Sequence, residues 1–364
     1  MRRFLLFFFR RWSILNKLHR NLPKTYGYLE TKDKYSTIHD MEVEQVTLSV
    51  MLEDWIELEL HEVTNPETNI YHLTDIHVFV ENGSIMDSNK KLYLNTYMGK
   101  DPIHYNFFYN LDFLRAPYRI AEGTFVHAPT NYWHFHVEFL ARVIHLLSNY
   151  ENLSVYTNKF QNQWQRDAIE LYKIKTDRII EIDVDRPYLS FEKFVFCDFL
   201  GTKNLGFNSR FSTKILKTVI NGIVSKKTLS RRIYISRNRS NSRKICNELA
   251  LFKILSQYGF EYIELEKFNV DDQYKLFSES EVIFAQHGAC LTNMLAVSGA
   301  VVIELFNSDW PMNMYALMAL ETNNFYYRIY NEEFKGNDPQ SADYIVDIHQ
   351  IESLFEQINI GKLK

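Results

Sequence analysis

The stretch EVIFAQHGACLTNMLAVSGAVVIELF, Glu281–Phe306, decides how this chain is read. Two continuous apolar runs, EVIFA and AVVIEL, have the length of buried strands. Between them lies a polar knot, QHGACLTN, leading into an apolar stretch at helical spacing. Strand, turn, helix and strand in that order make a crossover unit of a parallel sheet, and strands without polar alternation need cover on both faces. In such sheets ligands bind beyond the carboxyl ends of the strands. The knot stands at such an end.

The same rhythm runs through the whole second half. FSTKILKTVINGIVS (211–225) reads as a helix, RRIYIS (231–236) as a strand, and KICNELALFKILSQY (244–258) as a helix. FEYIEL (260–265), VDDQYKLFSES (270–280), EVIFA, ACLTNMLAV (289–297) and AVVIEL continue the alternation. Upstream, EQVTLSV (44–50) and HLTDIHVFV (72–80) alternate apolar and polar residues, and VFVENGSIMD (78–87) carries an Asn-Gly turn signal. From Asn131 the pattern becomes α/β: NYWHFHVEFLARVIHLLSNY helix, LSVYT strand, QWQRDAIELYKI helix, RIIEIDV strand. The fold class is therefore α/β, with two doubly wound lobes facing a cleft and extra β-hairpin strands in the N-terminal part. The expected divisions are a leader over 1–22, an acceptor-side lobe over 23–204 and a second lobe over 205–335. A C-terminal segment over 336–364 ends in a helix that is expected to pack back on the first lobe.

Composition narrows the function. At 364 residues, with 46% hydrophobic and 15% aromatic residues, the chain can bury a large core. A net charge of −4 argues against a general nucleic-acid binder. The three cysteines, Cys197, Cys246 and Cys290, are far apart and support neither a disulfide framework nor a cysteine zinc site. Sequons at Asn82, Asn152 and Asn238 need a secretory setting, which little else suggests. The leader MRRFLLFFFRRWSILNKLHR has an uninterrupted apolar run of only Phe4–Phe9. A bilayer span needs ~20 apolar residues, and a signal peptide about 7–15 with a small-residue cleavage site. The leader reads either as a basic, partly ordered leader helix or as a peripheral membrane anchor through residues 1–20, with aromatic rings among the headgroups and arginines on lipid phosphates. The expected location is cytoplasmic, at the inner face of the membrane.

Two loops at strand ends carry chemistry. In SRNRSNSRKICNE (236–248) Arg237, Arg239 and Arg243 crowd a turn ahead of a helix, a combination suited to phosphate oxygens. In the knot, Gly288 lets backbone approach a ligand and His287 can donate to it, while Thr292 and Asn293 are either ligand contacts or first-turn helix residues. Two such loops on neighbouring strand ends point to a diphosphate. Glu304 closes AVVIEL at the same edge and could accept ribose hydroxyls. Taken singly, each has an ordinary alternative: a solvated basic loop, a helix turn, a strand-end surface residue. In the first lobe, His134 and Glu138 share a helical face, with Asn131 as N-cap, and can act as base and orienter on a hydroxyl. Asp183 and Asp185 invite a metal reading, but they end a strand just before Arg186 and Pro187, away from the phosphate loops. They read as a turn.

The succession YISR, RKICNE, GFEYIELE and VDDQYKLFSESEVIFAQHGACLTNMLAVSGAVVIEL, with NYWHFHVEFLARV upstream, resembles the signature half of glycosyltransferase family 61 over roughly residues 70–330. The resemblance implies a GT-B arrangement of two Rossmann-like lobes. It also implies inverting transfer of a sugar from a nucleotide-sugar donor, commonly UDP-linked, to a hydroxyl of a glycan or lipid-linked saccharide, with no catalytic metal and no cofactor. Carried onto this chain, Arg237 and Arg243 would hold the diphosphate, and His287, Gly288 and Asn293 would line the donor site. Glu304 would hold the ribose, and His134 with Glu138 would sit by the acceptor. Cys290 stands where the family usually has glycine, and His136 is unusual in the helix motif. The setting implied is capsular or cell-surface polysaccharide synthesis. A nucleotide-sugar epimerase and a non-catalytic nucleotide-sugar binder are the other readings.

Overall fold

The computed structural model describes residues 68–93, 117–183, 188–202, 207–208, 210–225, 227–310, 312–331, 334–335 and 338–362, together with the strands Thr25–Gly27, Lys34–His39, Glu42–Leu52 and Trp55–Asn65. The leader over 1–22 and Asp185 with its two followers lie outside the described residues. The architecture is mixed α/β with parallel sheet in both halves. Among the described residues no helix is long and apolar enough to cross a membrane.

The second half forms a sheet in the order Phe260–Ile263, Arg231–Ile235, Ser280–Gln286, Val301–Asn307, Phe325–Asn331, all parallel. Successive side chains point to opposite faces, as a strand dictates. Ile233, Ile235, Ile283, Ala285 and Val302 enter one core, while Tyr234, Val282, Phe284, Ile303 and Leu305 enter another. Both faces are covered, which explains the unbroken apolar runs.

The hairpin Glu42–Leu52/Trp55–Asn65, placed by sequence order in the first lobe, continues this second sheet instead. Its first strand lies parallel to Phe325–Asn331. It pairs the backbone of a strand that would otherwise be an open edge. The last helix, Ile348–Gln357, also belongs to this sheet rather than to the first lobe. Phe355 stacks on Phe260 at 5.5 Å and meets Tyr258 at 4.7 Å. Burial of that ring alone contributes about 1.5–3 kcal/mol.

The first sheet runs Thr25–Gly27, Lys91–Tyr93, Ile85–Asp87, Thr68–Phe79, Tyr188–Cys197, Tyr118–Phe125, Val155–Asn158, Ile179–Ile182, with Lys34–His39 also paired to Thr68–Phe79. Its last four strands are parallel and the remaining pairings antiparallel, except that Thr25–Gly27 lies parallel to Lys91–Tyr93. The Asn-Gly turn forms where the sequence puts it, with Gly83 at φ +76°. Helix 132–149, Gln163–Leu171 and Arg210–Asn221 pack with Val270–Ser278 and Ala289–Ala296 in one continuous core that joins the two halves.

Three helices depart from the simple pattern. Residues Phe135–Leu140 are π-helical, so the amide of Ala141 reaches His136 O. Such segments often accompany functional sites. Ala289–Ala296 is a 3-10 helix rather than an α-helix. The helix expected straight after Arg243 starts only at Glu248. Arg243 is left-handed at φ 58°, and the backbone of the next residues pairs with the C-terminal segment.

Candidate active site at the sheet switch point

The chain leaves Arg231–Ile235 for a strand on one side and later returns to Ser280–Gln286 on the other. The loops beyond these two strands therefore diverge at the topological switch point, where doubly wound sheets bind ligands. Those loops are 236–247 and the knot beginning at His287.

The arginine loop is braced at its root. The hydroxyls of Tyr234 and Ser236 donate to Glu248 Oε1 at 2.8 and 2.6 Å, and Tyr262 donates to Oε2 at 3.1 Å. Asn238 N donates to Ser236 Oγ. Glu248 is thus a residue that sequence reasoning missed. Its signal is a carboxylate at the first position of a helix following the loop.

Arg237 and Arg243 converge on the knot. Arg243 Nη1 donates to His287 O at 2.8 Å. Arg237 donates to Ser240 Oγ at 3.0 Å, and its Nη1 fills the space beside Gly288, where a Cβ would lie 2.3 Å away. Gly288 is extended (φ 174°), so the glycine serves close approach, not a left-handed turn. Burial, and then the neighbouring Arg237 charge, lower the pKa of Arg243. Among the described residues neither guanidinium forms an ion pair with a carboxylate, and both Nε atoms are buried without a partner. Two like charges held together in this way form a site for an anion. Cys290 lies in the same field. Burial pushes its thiol up to about 11, with both arginines opposing. Arg239 points outward to an exposed ion pair with Glu264 at 2.7 Å.

Glu304 is not at the surface of the strand end. It is wholly buried, Oε1 2.6 Å from His287 Nδ1 and Oε2 bonded to the Tyr326 hydroxyl. With both oxygens taken, it is placed as the partner of His287 rather than as a free acceptor for ribose hydroxyls. The imidazole is further boxed by Phe306, Trp310 and Tyr315, at 4.7, 5.0 and 5.3 Å. Asn293 is likewise buried: it accepts from Tyr132 Oη at 2.7 Å and donates to Gln273 at 2.8 Å. Its place is a joint between the two halves, closer to the helix-turn reading than to a ligand contact.

That joint brings the first-half pair to the knot. Asn131 Oδ1 caps the helix by accepting from His134 N at 3.2 Å. Trp133 packs edge-on to Tyr315 at 4.9 Å, and Tyr315 in turn meets His287. His134 Nδ1 lies 3.0 Å from Glu138 Oε1. Burial disfavours the imidazolium of His134, but the bond to Glu138 and its charge outweigh burial and raise the pKa. Glu138 Oε2 is buried and unpartnered. His136 faces the other way, bonding Tyr132 O at 2.8 Å, and burial pushes it down to about 4. It is a neutral core residue. Asp183 holds Lys159 at 2.9 Å in a solvated pair, as a turn residue would.

Trp310, Tyr315 and Tyr326 complete the surroundings of His287 and were not singled out from sequence. The rings of Trp310 and Tyr315 meet the imidazole, and the Tyr326 hydroxyl reaches its partner Glu304, only through tertiary packing.

No curated protein matches the sequence. Among solved structures, the chain is similar to the bacterial iron-containing dodecameric glycosyltransferase TibC from enterotoxigenic E. coli H10407. The identity is 8% and the TM-score 0.35, over 81% of this chain and 94% of that one, a likeness too distant to bear on the site. Residues 132–303 match the model of the Glycosyltransferase 61 family. That segment carries His134, Glu138, Arg237, Arg243, His287 and Gly288, and its match supports a relation to glycosyltransferase family 61.

Proposed function

We propose that the protein transfers a sugar, with inversion and without a catalytic metal, from a nucleoside-diphosphate donor, UDP-linked, to a hydroxyl of a glycan or lipid-linked saccharide. The observation that carries this is the Arg237–Arg243 pair, unpartnered by carboxylate among the described residues and set against the backbone of His287 and Gly288 at the switch point. In this reading the second half holds the donor and the first half the acceptor, in the manner of a GT-B enzyme. His134, with Nδ1 turned to Glu138, takes the acceptor proton at Nε2. The acceptor oxygen forms its bond to the anomeric carbon as the bond to the diphosphate oxygen breaks, and the electron pair leaves with the UDP. Charge grows on that leaving group, so the guanidiniums hold the transition state more tightly than the ground state.

The basic aromatic leader suits the cytoplasmic face of a membrane, where capsular or surface polysaccharide is assembled. The test is UDP release from UDP-sugars with and without glycan acceptors, in EDTA. Acceptor-dependent release in EDTA supports the reading. An isomerised donor would identify an epimerase, and neither product a binding protein. Loss of activity in EDTA restored by Mn²⁺ would overturn the metal-free mechanism.

A further inference from the structure

The segment 338–347 lies beyond the stretch that matches the family, yet it is stitched to the arginine loop. Arg243 N donates to Ser341 O, Lys244 N to Asp343 Oδ1, Tyr344 N to Lys244 O and Cys246 N to Tyr344 O, at 3.3, 2.8, 2.8 and 2.7 Å. Ile245 and Tyr344 form a parallel bridge. The chain's return to this loop thus fixes Tyr344 beside Arg243. Its ring is fully buried, and its hydroxyl has no hydrogen-bond partner among the described residues. Burial pushes the phenol up to about 12, and Arg243 and Arg237, in that order, pull against it, so both guanidiniums lie within its field.

A buried hydroxyl without a partner costs stability, and deleting it would relieve that cost. The Nε atoms of Arg237 and Arg243, whose charges act on this phenol, are likewise buried without a partner among the described residues. A phosphate group has enough acceptor oxygens for all three. We propose that Tyr344 is a further residue of the anion site, its hydroxyl donating to an oxygen of the bound diphosphate. The proposal rests on the reading of the arginine pair as the donor's diphosphate site.

The test is calorimetric titration of the full chain with inorganic pyrophosphate and, separately, UDP, for the wild type and Tyr344→Phe, with melting curves of both. The expected result is a variant that melts at or above the wild type and binds both ligands about tenfold more weakly. Unchanged affinity, with the wild type binding, would overturn the role of Tyr344 and leave the arginine site standing. A loss for UDP but not pyrophosphate would place the hydroxyl on the nucleoside and overturn it too. A lower melting temperature with unchanged affinity would show that the hydroxyl has a structural partner. Failure of the wild type to bind either ligand would overturn the diphosphate site itself, and the role of Tyr344 with it.

Discussion

Glu304 Oε1 lies 2.6 Å from His287 Nδ1, and no part of the glutamate reaches solvent. The strand Val301–Asn307 thus supplies the orienting group for a residue at the end of its neighbour. Glu304→Ala would leave both the imidazole and the Tyr326 hydroxyl buried without an acceptor. Each orphaned group costs about 1–3 kcal/mol, so we expect a clear drop in urea midpoint. Glu304→Gln, which can still bond, should lose less. Equal stability of Glu304→Ala and wild type would show that the pair is not a structural element.

Gly288 is adjacent to the Arg237 guanidinium, 2.3 Å from where its Cβ would be. Gly288→Ala must displace that flexible side-chain end, not backbone, so the fold should survive. We expect little change in melting temperature and a loss of UDP affinity of about tenfold, which corresponds to ~1.4 kcal/mol. A calorimetric titration checks it.

The arginines of the loop should separate by partner. Arg237→Lys keeps charge but loses the fork, and should lower kcat more than donor affinity. Arg243→Lys also loses the bond to His287 O and should weaken both. Arg239→Ala breaks only an exposed pair, and such pairs contribute about 0–1 kcal/mol. Equal small losses at all three would mean a solvated loop.

His134 gives a pH signature. Its folded pKa is raised above 6.5, chiefly against burial and by Glu138. The protonated pair therefore adds stability below the ordinary histidine value, and this is lost as pH rises through the raised one. A base must be neutral, so kcat/KM should rise with pH through that same value. Glu138→Gln should move the limb to lower pH, and His134→Ala should abolish transfer while leaving UDP affinity nearly intact. If UDP binding falls with turnover, His134 is structural.

Asn293→Ala tests the joint. It removes the acceptor of Tyr132 and the donor to Gln273. We expect destabilisation of about 1–3 kcal/mol with pyrophosphate affinity unchanged, measured by denaturant titration and calorimetry. Reduced pyrophosphate affinity at full stability would restore Asn293 to the donor site.

The local order of strand, loop and helix was legible in the sequence because periodicity is a property of neighbours along the chain. EVIFA, AVVIEL and RRIYIS form strands close to where their apolar runs lie, and Arg237, Gly288 and the His134–Glu138 pair are visible for the same reason. Strand order was not legible, since hydrogen bonding between strands is decided by which faces the crossover helices can cover. Only the tertiary structure puts the two loops at the switch point and adds the hairpin Glu42–Leu52/Trp55–Asn65 to the same sheet beyond Phe325–Asn331. Likewise Glu304 reads as an open strand end until Tyr326 and His287 close over it. Tyr344 is silent in sequence because Lys244 and Asp343, which seat it, are 99 residues apart. Short-range pattern fixes which groups the chain owns. The packing of distant segments decides which of those groups are paired with each other and which are left for a ligand.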